Sequence, residues 1–160
     1  MLERFLPGAA HLQNSHPLFV HFPIALLSAA AVFYIVAWIA RNDRLAAIAY
    51  AMLLAGTVAG AVAIGTGLYA NEGVMVARSV RSAILEEHET LMLTTGGIAL
   101  VLSVWAILQR PFPRRARPLF VLLLLIMLAV MVKGTDDGGR LVYDYNAGGN
   151  ACGQPIEFSK

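Results

Sequence analysis

Four side chains carry the chemistry this chain can offer: His11, His16, His21 and His88. Two of them lie in the stretch His16-Pro17-Leu18-Phe19-Val20-His21-Phe22-Pro23, which opens the first long apolar run, and His88 opens a later one. Ionisable residues at membrane depth are rare and tend to be functional. Iron accepts axial imidazoles, and the second ring nitrogen of each then needs a hydrogen-bond partner. The plainer role for an interfacial imidazole is a bond to headgroups, water or a backbone carbonyl. That role suffices for His11, and His16 can serve as a helix cap ahead of Pro17.

The elements that must position these rings are membrane spans. Hydrophobic residues make up 58% of the 160 residues and charged residues 14%, against roughly 45–50% and about 25% in ordinary soluble domains. A formal net charge of +2, scattered among apolar runs, excludes nucleic acid as a partner. Four apolar runs predict spans at about 18–40, 45–70, 88–109 and 118–136, each near the ~20 residues that cross a bilayer core. The fourth has only 15 uncharged residues, Pro118 to Val132, and reaches crossing length if Lys133 snorkels. Gly56, Gly60, Ala63 and Gly67 recur along the second span, a spacing that allows close helix approach. Val74–Leu85 reads as a short amphipathic surface helix.

The predicted fold is therefore all-α: an integral membrane four-helix bundle, up-down-up-down. Residues 1–15 form an interfacial segment, 16–137 the membrane domain and 138–160 a polar extracytoplasmic tail. The tight turns hold Arg41, Arg44, Arg110, Arg114, Arg115 and Arg117. Short-loop positive charge sets orientation, which puts those turns in the cytoplasm and both termini on the outer side. His21 is 20 residues from Arg41 and His88 is 22 from Arg110. At about 1.5 Å per residue both rings then stand roughly 30 Å above the inner turns.

Two imidazoles at one level on two parallel helices are the geometry of a bis-histidine haem b, since bundles build cofactor sites from facing side chains. The leading expectation is ligation by His21 and His88, with His16 as the alternate ligand and Glu89, Asp136 and Asp137 as hydrogen-bond partners. A haem at that level relays electrons between quinol in the outer leaflet and a periplasmic carrier, or within a larger complex. Two alternatives stay open. His16, His21 and His88 can hold a bare transition metal, copper, iron or zinc. Or the chain is a non-catalytic assembly subunit, in a membrane complex or homo-oligomer, whose histidines only satisfy hydrogen bonds. No nucleophile–base pair, phosphate loop or zinc-protease pattern marks a stand-alone enzyme. Cys152 has no signalled partner.

His16-Pro-Leu-Phe-Val-His-Phe-Pro-Ile-Ala-Leu-Leu27, then His88-Glu-Thr-Leu91, then Gly138-Gly-Arg-Leu-Val-Tyr143 together resemble a family of small bacterial membrane proteins, domain of unknown function 2231. The resemblance covers nearly the whole chain. It implies a four-helix domain of the bacterial inner membrane, sometimes joined in one chain to cytochrome c or Rieske iron–sulfur modules, and hence electron transfer and haem. Relatives usually follow Leu-Val-Tyr with a basic residue and His-Gly. Here Asp144-Tyr145-Asn146 stands instead, so the resemblance supports no second cofactor site.

Overall fold

The computed structural model describes residues 15–71, 73 and 76–147. Its elements are four long helices: α1, His16–Ala40; α2, Asp43–Asn71; α3, Arg78–Leu108; and α4, Arg117–Tyr143. All four are long and apolar enough to cross a membrane. His11, the rest of the N-terminal segment before Ser15, and Cys152 lie outside the described residues.

Helix α1 keeps helical dihedrals through Val20 (φ −62°, ψ −30°) but loosens its hydrogen bonding there. Pro23 has no N–H to give the Phe19 carbonyl, and the flanking bonds are long: Val20 N to His16 O is 3.3 Å and Ile24 N to Val20 O is 3.5 Å. The helix stops at Arg41, which adopts the left-handed conformation (φ 51°), with Asn42 N–H returning to Ala37 O at 3.0 Å. Asn42 then starts α2: its Oδ1 accepts from Arg44 N at 2.9 Å and Leu45 N at 3.3 Å. An asparagine in that role satisfies amides that the first turn leaves unpaired, and Asp43 suits the positive end of the helix dipole.

The expected surface helix is not separate. Its helical part among the described residues, Arg78–Leu85, is the first stretch of α3, which passes through one π-type turn at Arg81–Leu85. Ile84 and Leu85 are buried against Leu141 of α4, which explains why this segment continues the bundle rather than lying flat. Helix α4 likewise runs past position 136 to Tyr143, because Leu141 has that cluster to bury into. The first residues of the expected polar tail are thus helical.

Each helix neighbours the next, and α4 closes on α1. The core includes Leu27, Tyr34, Leu53, Leu102, Phe120 and Met127, while residues such as Val58, Val101, Leu122 and Val132 are exposed on the outside. An apolar exterior of this kind is what a lipid solvent accepts. The Gln109–Ala116 loop folds inward at the end opposite the histidines. Phe112 and Pro113 are buried there, the Arg110–Pro111 bond is cis, and Tyr34 OH donates to Pro111 O at 3.0 Å. The Phe112 ring lies 4.9 Å from Tyr34 and 5.6 Å from Phe120, with the Arg117 guanidinium 5.1 Å above it.

Candidate cofactor site

The structure sets His16 and His88 against neighbouring helices and leaves His21 aside. His21 is exposed, and its Nδ1 lies 3.2 Å from the Pro17 carbonyl of its own helix. Five residues separate His16 from His21, which is about 500° of helical rotation. The two rings therefore leave α1 in different directions, and it is His16 that turns inward.

His16 Nδ1 lies 3.0 Å from Ala63 O and 3.3 Å from Thr66 Oγ1 on α2. Thr66 gives its own proton to Ala63 O at 3.0 Å, so towards the imidazole it can only accept. Both neighbours of Nδ1 are acceptors, which places the ring proton on Nδ1 and the lone pair on Nε2. The ring is seated on Gly67, where an added Cβ would fall 2.9 Å from His16 Cε1.

His88 repeats the arrangement on the other two helices. Its Nδ1 lies 2.6 Å from Gly134 O on α4, again an acceptor, so Nε2 again carries the lone pair. Its ring is seated on Gly138, where an added Cβ would also fall 2.9 Å from Cε1. Both imidazoles are half-buried. Fixing Nδ1 to a carbonyl is the usual way a protein orients a ligating histidine and raises its basicity.

The expected carboxylate partners are engaged elsewhere. Asn71 Nδ2 donates to Glu89 at 2.9 Å while its Oδ1 accepts from Arg81 at 2.7 Å, tying the end of α2 to α3. Asp137, only 1% exposed, holds Lys133 at 2.6 Å and Arg140 at 3.4 Å. Lys133 also reaches Glu87 at 3.6 Å. Asp136 is exposed on α4. Backbone carbonyls thus take the place that the sequence offered to acids. A carbonyl acceptor leaves no residue-type signal, so Ala63 and Gly134 could be found only through their spacing from the histidines.

Among the described residues no three or more His, Cys, Asp or Glu side chains gather as a metal cluster. The imidazoles held by neighbouring helices are His16 and His88. A family model described as a predicted membrane protein, DUF2231, matches residues 13–151. Neither a curated protein nor a solved structure matches the chain.

Proposed function

We propose that this chain, which belongs to the DUF2231 family of predicted membrane proteins, is a membrane electron-transfer subunit that holds one b-type haem between His16 and His88. The observation that carries the reading is the matched pair of imidazoles, each with Nδ1 fixed by a carbonyl and its ring seated on a glycine. Two protein donors suffice for iron when a porphyrin supplies the other four. Bare zinc or copper ordinarily asks for three or four side chains, and the paired rings lack a third beside them among the described residues. Haem therefore fits the donor set better than a naked ion.

Both rings belong to the end of the bundle away from the arginine-rich turns. Short-loop positive charge assigns those turns to the cytoplasm, so the haem sits near the periplasmic face of a bacterial inner membrane. With a hydrocarbon core about 30 Å thick, one haem at that face serves redox traffic on its own side. Bound there, a haem would supply one-electron transfer, which suits a chain placed between quinol in the adjacent leaflet and a periplasmic cytochrome or iron–sulfur protein, or within a larger complex.

The test is the visible absorption of purified protein, oxidised and then reduced. The expected result is a Soret band with split visible bands on reduction, lost in His16→Ala and in His88→Ala and retained in His21→Ala. A colourless, well-folded protein that carries stoichiometric copper or zinc sinks the haem reading in favour of a bare metal site. A colourless and metal-free one leaves the assembly-subunit reading.

A further inference from the structure

We infer that the chain is two copies of one helical hairpin, and that the cofactor is gripped on the axis between them by equivalent half-sites. The α1–α2 hairpin supplies His16 and its seat, and the α3–α4 hairpin supplies His88 and its seat. His16 and His88 are 72 positions apart, Ala63 and Gly134 are 71 apart, and so are Gly67 and Gly138. In each half the acceptor carbonyl lies four residues before the glycine under the ring. An added Cβ would stand 2.9 and 3.2 Å from Cε1 and Nδ1 of His16 at Gly67, and at the same two distances from those atoms of His88 at Gly138.

The core keeps the same register. Leu27, Ala30 and Tyr34 of α1 are buried, and 72 positions on so are Ala99, Leu102 and Ala106 of α3. Leu53 of α2 and Leu124 of α4, 71 apart, are both fully buried. Large and small residues have changed places between the halves: Leu27 against Ala99, Ala30 against Leu102, Tyr34 against Ala106. The first two pairs exchange volume and conserve their sum, while Tyr34 against Ala106 does not. Because α1 and α3 run in one direction, the relating axis is parallel to the helices, which is the symmetry of parallel transporter repeats.

An axis of this kind selects a ligand with two equivalent faces. An iron tetrapyrrole, whose two faces are alike, would meet that condition, with His16 and His88 as the residues to hold it. This identification rests on the haem reading; the duplication itself does not. One position breaks the equivalence next to the site: Thr66, which faces His16, corresponds to Asp137, which is turned to Lys133 and Arg140 instead.

The test uses four variants of the full chain in detergent. Gly67→Ala and Gly138→Ala push a methyl group into the two imidazoles. Gly65→Ala and Gly139→Ala, in the same two helices, meet open space and serve as matched controls. Haem bound per chain and the unfolding midpoint are measured on each. Outer-shell changes at metal sites weaken binding by about 10–100-fold, so both seat variants lose haem by about tenfold or more, to within a factor of about two of each other, while the controls retain it. Loss in one seat variant alone, or in neither, overturns the equivalence and leaves the haem reading standing. If the wild-type chain binds no haem, the haem reading falls by itself. The duplication then stands on equal drops of the unfolding midpoint in the two seat variants relative to their controls, and is overturned by unequal ones.

Discussion

Replacing Gly134 by alanine tests how closely α3 and α4 must approach to hold His88. Gly134 is buried, and its carbonyl accepts from the ring at 2.6 Å. A Cβ there would collide with Met92 Cε and lie 3.0 Å from Leu91 Cβ. The Met92 thioether can swing away, but Leu91 Cβ is fixed to the α3 backbone, so the helices must part by a few tenths of an ångström. Overpacking of this type costs about 1–3 kcal/mol. Alanine for glycine inside a helix returns about 1 kcal/mol, which leaves a net loss of about 0–2 kcal/mol. Gly139→Ala provides the reference, because it takes the same propensity gain in the same helix and meets nothing within 4 Å. The difference between the two variants therefore isolates the crowding, at about 1–3 kcal/mol. Unfolding in mixed micelles, followed by circular dichroism, reads it directly. Adding Met92→Ala should recover part of the loss but not all, since Leu91 remains. If Gly134→Ala is as stable as Gly139→Ala, the α3–α4 spacing is not set at this crossing and the account of how His88 is held fails.

Two further outcomes follow from the packing. Tyr34→Phe strands the Pro111 carbonyl and should lower stability by about 1 kcal/mol in the same unfolding assay; no change would mean that water or another donor replaces the hydroxyl. Asp137→Asn should cost about 1–3 kcal/mol, and Lys133→Met should be worse, because it leaves a buried carboxylate with only Arg140 at 3.4 Å. The double variant Lys133→Met/Asp137→Leu should recover most of the loss, and a double variant weaker than Lys133→Met alone would refute that ranking.

The bundle was legible from runs of uncharged residues, since crossing length and apolarity act on every position of a span at once. Its helix ends were less so. The first turns of α3 look polar and the last two turns of α4 polar and glycine-rich, and both become part of the bundle only because Ile84, Leu85 and Leu141 bury one another. The histidines were legible as a group, but which of them turn onto neighbouring helices was not. Counting residues down to the basic turns matched His21 to His88 in height. It ignored direction around the helix, and it took no account of the inward fold of Phe112 and Pro113 at the far end. The repeated interval from each histidine to its carbonyl and glycine was present in the sequence. It shows only on comparing the first half of the chain with the second, because neither an alanine nor a glycine announces a hydrogen-bond acceptor.

The inward-folded loop beneath Tyr34 and Phe120 has a bearing on traffic. Rings interlocked 4.9 to 5.6 Å apart, with a guanidinium laid over one of them, stopper the bundle at its arginine-rich end. The imidazoles stand at the other end of the bundle, with the fully buried Leu53, Leu102, Leu124 and Met127 in the interior, so this plug offers them no passage through the loop end.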